Sequence, residues 1–325
     1  MGIRFALSIV VFLVSALQCH AETTLTLAHI FNSEHPRAEA CLRFADIVKT
    51  RSQGRIVIEI FDAASIGDSV TMIKALQNGS LDLSANTQGA VSAVVPEFSA
   101  FGMPFLFKNS DAALRVLDGP LGQQLAEKAA EKGLIVLGYW DNGIRHFSNS
   151  VRPLRTPSDF AGLKIRIPPD PVTGDIVEAL GGKPHEMKYS DVYNALRRGA
   201  VDGQENPLVN IQNAKFYEVQ KYISLIGHKY EMTPFLMSMR AWDALSPTDR
   251  EVIKEAAKEA TGYEHELTKK AEADAYRYLV AQGVLINKVD RKPFVDATSK
   301  IYDKWYASPI GDYVRAVVLE ARSQR

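Results

Sequence analysis

The stretch TLTLAHIFNSEHPRAEACLRFADIVKTRSQGRIVIEIF, residues 24–61, sets the fold class. Its opening alternates, with Leu25, Leu27 and His29 sharing one face, as in a half-buried strand whose side chains point to opposite sides in turn. Over 36–52 the apolar residues Ala40, Phe44, Ile47 and Val48 recur at helical spacing, and Gln53-Gly54 stops the run. Alternation returns over 55–61 as Ile56, Ile58 and Ile60. A second helix is predicted over 69–78, capped at its start by Asp68 or Ser69 and ended by Gly79, where a left-handed residue is wanted. Leu81-Asp82-Leu83-Ser84 then reads as a third short strand. A β-α-β-α opening of this kind predicts α/β layers.

Further along, strand character is expected over 134–140, 162–168 and 222–227, separated by helical segments. Asp141-Asn142-Gly143 is a turn signal after an apolar strand near mid-chain, and a crossover between two lobes is expected there. Ser246 and Pro247 look like the cap and first position of a helix whose Ala-, Glu- and Lys-rich run extends to Ala281, interrupted at Gly262. So long a helix would outreach one small domain and brace both lobes, which makes them discontinuous in sequence. The expected division is residues 22–143 plus about 232–271 in one lobe and 144–231 plus about 272–325 in the other.

At 325 residues, 46% hydrophobic and 23% charged, the chain is of ordinary globular make-up. Lys+Arg 38 against Asp+Glu 38 leaves no net charge to gather a phosphate backbone, so no nucleic-acid partner is expected. Cys19 and Cys41 alone exclude a disulfide framework and a four-cysteine zinc site. The first residues form a signal peptide over 1–21: Arg4 supplies the charge, residues 5–17 the apolar run, and Cys19-His20-Ala21 the small residues of a cleavage site. Gln18 is too bulky for a lipoprotein signal at Cys19, and no later apolar run is long enough to insert in a membrane after cleavage. The expected location is the periplasm.

Most familiar chemistries lack their residues here. No two glycines stand two apart, so a G-x-G-x-x-G loop is absent, as is a phosphate-binding G-x-x-x-x-G-K-[ST] loop. The seven histidines include no pair at helical metal spacing, and neither metal nor cofactor is expected. Gly67-Asp68-Ser69-Val70 is similar to the nucleophile block of some esterases, but no histidine has an aspartate three residues earlier, and G-x-S-x-G is missing. A secreted hydrolase using Asp68 and Ser69 is the competing reading from another class.

Positive charge is better placed. In Leu163-Lys164-Ile165-Arg166-Ile167-Pro168-Pro169 the apolar residues share one face and Lys164 and Arg166 the other. That face is either solvated, or Arg166 stands at a strand end in a cleft and takes a carboxylate through its planar fork. Arg145 is a second arginine just past the proposed crossover.

The segments Arg145-His146-Phe147-Ser148-Asn149, Gly162-Leu163-Lys164-Ile165-Arg166-Ile167-Pro168, Tyr189-Ser190-Asp191-Val192-Tyr193-Asn194-Ala195-Leu196 and Asp202-Gly203-Gln204-Glu205-Asn206-Pro207 complete the picture. In combination they closely resemble the extracytoplasmic solute-binding subunits of tripartite ATP-independent periplasmic (TRAP) transporters, of the DctP type, over essentially the whole chain after the signal. The resemblance implies a two-lobed periplasmic binding protein fold, type II-like, with a long helix bracing both lobes. It implies a non-enzyme that closes on a small organic acid, such as a dicarboxylate or sugar acid, and delivers it to the small and large membrane subunits of a permease. A binder feeding a sensor kinase would share these features. Arg166 then holds the carboxylate by a salt bridge, Arg145 adds a contact, Asn206 hydrogen-bonds the same group and Tyr189 lines the pocket. Asn86-Thr87-Gln88 is neutral where the sialic-acid members carry an acid, which disfavours that ligand. His29, Asn86, Gln88 and Trp140 are the candidates for reading hydroxyls or a second carboxylate.

Overall fold

In the computed structural model, which describes residues 22–324, nine strands form one sheet. They are β1 (Thr23–Ala28), β2 (Ile56–Phe61), β3 (Leu83–Ala85), β4 (Leu134–Asn149), β5 (Lys164–Ile167), β6 (Lys183–Glu186), β7 (Gly203–Asn206), β8 (Tyr222–Ser238) and β9 (Leu285–Lys288). The order is β2-β1-β3-β8-β4-β7-β5-β6, with β9 on the lower half of β8. The predicted signal peptide lies outside the described residues.

The opening forms as its periodicity predicts. β1 pairs in parallel with β2 and β3, the helix Pro36–Arg51 crosses between the first two, and Gly79 closes the helix Ser69–Asn78 at φ 76°. Of the two residues proposed as its cap, Asp68 performs the role, its side chain accepting from the Thr71 amide.

One expectation fails at the centre. Asp141-Asn142-Gly143 makes no turn: β4 runs on through it for 16 residues, antiparallel to the 17 residues of β8. β8 supplies a continuous partner, and the Asn-Gly irregularity is absorbed as a register shift between Asp141 and Gly143, where glycine adopts φ 104°. At about 3.3 Å per residue each strand reaches roughly 50 Å, so two continuous strands, and no turn, carry the chain between the lobes. The C-terminal end of β8 pairs with β3, and the C-terminal end of β4 pairs with β7.

The helix Pro247–Ala281 lies along this junction, capped by Ser246, and Gly262 does not interrupt it. Ile253, Ala256, Ala257 and Ala260 pack with Trp140 and Phe235 in one core. Farther along, Ala275 and Leu279 pack with Val192, Ile211 and Ile223 in another. No helix among the described residues is long and apolar enough to cross a membrane.

Candidate ligand-binding site

A cavity of about 570 Å³ opens between the two halves, of the size that holds a small molecule. Its wall takes Phe31 and Asp68 from the β1–β2 side, Asn142, Arg145 and Glu231 from the long strands, and Arg166, Tyr189, Asn206 and Asn210 from the far side. Contacts cross its mouth: Lys188 Nζ lies 2.9 Å from Asp68 Oδ2, and Asn213 Nδ2 donates to Asn32 Oδ1 at 2.7 Å. The two halves therefore touch across the cavity mouth.

Strand alternation sends Ile165 and Ile167 into the core and Arg166 to the opposite face. That face is not solvated at Arg166, which is 2% exposed. Its Nε and Nη2 both donate to the Met187 carbonyl, at 3.0 and 2.8 Å, leaving the Nη1 and Nη2 end of the fork for the cavity. No described carboxylate forms an ion pair with it. Burial draws its pKa down, to about 10, with Glu205 opposing, so it remains a cation at neutral pH.

Arg145 lines the same cavity in a different state. Its Nε bonds Glu205 Oε2, Nη1 bonds Glu231 Oε2, and Nη2 donates to Glu205 Oε1 at 2.7 Å and to the Glu205 carbonyl at 2.6 Å. Two buried carboxylates neutralise it. Burial pushes the Glu205 carboxyl up, but Arg145 and the His228 hydrogen bond hold it down at about 2, so it is ionised. His228, drawn below its ordinary value by burial, stays neutral at 3.1 Å from Glu205 Oε2.

Amides fill much of the remaining wall. Asn206 donates to Gln204 Oε1 and accepts from Asn210 Nδ2 at 3.2 Å. Asn210 Nδ2 and Arg37 Nη2 both donate to Asn142 Oδ1, at 3.2 and 3.0 Å, and Asn142 Nδ2 donates to Glu231 Oε2 at 2.8 Å. Asn210 Oδ1 then takes the Nε2 proton of His35, at 2.9 Å, while His35 Nδ1 accepts from the Arg37 amide and caps the helix Pro36–Arg51. Burial holds His35 neutral, far below its ordinary value, which this pair of bonds requires. The Tyr189 ring meets Phe31 edge-on at 5.2 Å and carries the Arg166 guanidinium 5.9 Å from its centre.

Of the candidates named from sequence, Arg166, Arg145, Asn206 and Tyr189 converge on the cavity wall, whereas His29, Asn86, Gln88 and Trp140 stand outside it. Trp140 is fully buried, stacks on Phe235 at 4.5 Å and donates to Thr261 Oγ1 at 3.0 Å, so its indole is core and not wall. Gln88 spends its amide on the Phe98 carbonyl and the Met232 amide, at 3.0 and 3.1 Å. Asn86 binds the Ser69 carbonyl and Ser84 Oγ, and accepts from Thr87 N at 2.7 Å. His29 is 1% exposed, and burial, then Arg37, lowers it to about 4.

Sequence reading passed over Arg37, His35, Asn210, Glu205 and Glu231. Two signals were present. Arg37 puts a cation in the first turn of a helix, where the dipole favours an acid, so another group had to hold it. His228-Lys229-Tyr230-Glu231 sets ionisable residues in a row inside a strand, where each needs an internal partner.

A family model described as bacterial extracellular solute-binding protein, family 7 (DctP) matches residues 27–308. The chain is 44% identical over 286 residues to the uncharacterized protein y4mM of Sinorhizobium fredii, covering 87% of this chain and 52% of that protein. It thus spans about half the length of that relative. Among solved structures it is similar to the sugar acid binding protein DctPAm of Advenella mimigardefordensis in complex with galactonate, at TM-score 0.91 and 30% identity, covering 94% of this chain and 99% of that one. A TRAP periplasmic solute binding protein of a Polaromonas species bound to D-erythronate gives TM-score 0.88 and 34% identity, covering 91% of this chain and 98% of that one.

Proposed function

Because the chain belongs to the bacterial extracellular solute-binding protein family 7, the DctP family of TRAP transporters, we propose that it captures a small organic acid in the periplasm and delivers it to a TRAP permease of small and large membrane subunits. It acts by binding and release, without chemistry on the ligand. The observation that carries this reading is Arg166: a buried guanidinium on the wall of the cavity, with its fork end open and no carboxylate partner among the described residues. A ligand carboxylate supplies the missing charge through two parallel hydrogen bonds. Asn206, beside it, offers an amide N–H to the same group, and Tyr189 packs the ligand's carbon chain.

The lobes divide at the long strands, residues 22–143 plus about 232–271 against 144–231 plus about 272–325, and the cavity lies between them. Support for binding over hydrolysis comes from Asp68, whose carboxylate is committed to the Thr71 amide and to Lys188. A thermal-shift screen of the exported protein against aldonates, uronates, dicarboxylates and 2-oxo acids tests the proposal. A true ligand at a hundred times its Kd should stabilise the protein by about 2.7 kcal/mol. No shift with any acid would overturn it.

A further inference from the structure

Resting on the organic-acid reading above, we infer that the ligand carries one carboxylate and several hydroxyls, and that Glu231 is the residue that selects for the hydroxyls. Arg166 and Arg145 both line the cavity, and a dicarboxylate would call on both. Of the two, only Arg166 is without a carboxylate partner among the described residues. Arg145 already faces Glu205 and Glu231, and four of its five N–H groups are spent on them. A second ligand carboxylate brought to Arg145 would lie against the Glu231 carboxylate, and two like charges at a buried wall repel strongly.

A hydroxyl meets the opposite reception. Glu231 Oε2 accepts from Asn142 and Arg145, while Oε1 has no hydrogen-bond partner among the described residues. Paired with Arg145 through its other oxygen, that Oε1 is an acceptor for an O–H and offers nothing to a carboxylate. Neutral groups continue the pattern across the cavity. Asn32 Nδ2 and Asn213 Oδ1, a free donor beside a free acceptor, match a hydroxyl that gives and takes one bond. Arg37, also buried, has Nε and Nη1 without partners among the described residues but is not part of the cavity wall: it lies over the Phe31 ring at 4.5 Å, and its Nη2 donates to Asn142. The ligand class that fits is a polyhydroxy monocarboxylate of the aldonate or uronate kind.

Titration calorimetry of the exported protein with erythronate, galactonate, gluconate, glucuronate, galacturonate, succinate and malate tests this. At least one hydroxy monocarboxylate should bind more than tenfold tighter than succinate, roughly the discrimination expected from one or two buried hydrogen bonds. Succinate or malate binding as tightly as the best of them would overturn the inference and leave the organic-acid proposal standing. Silence from the whole panel would overturn the inference, and the organic-acid proposal with it if 2-oxo acids are silent as well. Glu231→Gln supplies the second reading: the hydroxy acid should lose about tenfold or more, and the preference over succinate should narrow as Arg145 is released. An unchanged preference in a variant whose circular dichroism matches the parent would remove Glu231 from the role.

Discussion

Arg145 and Arg166 share a residue type, a depth and a cavity, yet their neighbours give them opposite tasks. Arg166→Ala should leave a folded protein that binds its acid tens- to thousands-fold more weakly, since a desolvated charge partner is worth about 2–5 kcal/mol to a complex. Calorimetry on variant and parent decides it, and Lys at that position should recover only part, having charge without the fork. Arg145→Ala should instead destabilise the apo protein by about 3–5 kcal/mol, because two carboxyl groups, Glu205 and Glu231, are left buried without their cation. A chemical-denaturation midpoint close to the parent's would contradict that. The sequence made Arg166 legible because alternation and a terminating Pro-Pro set it at a strand end. It could not show that Arg145 is already paired with two carboxylates, since Glu231 arrives from a strand 86 residues away.

At the scale of elements, the helix Pro247–Ala281 reaches both halves with two carboxyl groups, Glu264 buried and Glu272 half-buried. Glu264 accepts from the Asp141 amide at 2.8 Å and from Thr268 at 2.8 Å, and Glu272 holds the Leu208 and Val209 amides at 3.0 Å each. Burial, then Asp141, pushes the Glu264 carboxyl up to about 8, and burial pushes Glu272 up to about 7. The folded protein keeps protons that an unfolded glutamate releases near pH 4.5, so from these groups stability falls as pH rises from 4.5 toward 8 and then levels. Glu205, lowered to about 2, has the opposite sign: its stabilisation is present above pH 4.5 and is lost as pH falls toward 2. Glu264→Gln should therefore flatten the decline between pH 5 and 8 and raise stability at pH 8, on the order of a few kcal/mol. Denaturation midpoints across that range would show it, and a slope equal to the parent's would refute it. This helix was legible because its cap, its proline and its composition are local. Strand β4 was not legible at its middle: Asn-Gly signals a turn only where no partner strand continues, and β8 continues.

For the whole molecule, one sheet with two long central strands leads to the expectation that ligand-driven closure bends β4 and β8 near Asp141–Arg145 and Lys229–Met232, where the register slips. The C-terminal segment straps both halves, since Lys304 and Trp305 bond Asp175 while Tyr313 bonds the Leu121 carbonyl. The cross-cleft contacts are of unequal weight. Lys188–Asp68 is solvent-exposed on the lysine side, and Lys188→Ala should change ligand affinity by no more than a few-fold. The buried His35–Asn210 bond belongs to a chain that fixes Asn142 and Asn206, so Asn210→Ala should cost more than tenfold. If closure rather than lining drives that loss, the variant should also stay open when ligand is saturating. Small-angle scattering separates the cases: the parent should contract with ligand, and Asn210→Ala should contract less at equal saturation. A parent whose radius of gyration is unchanged by a bound acid would contradict hinge closure, and the open cleft would then have to be sealed by side chains alone.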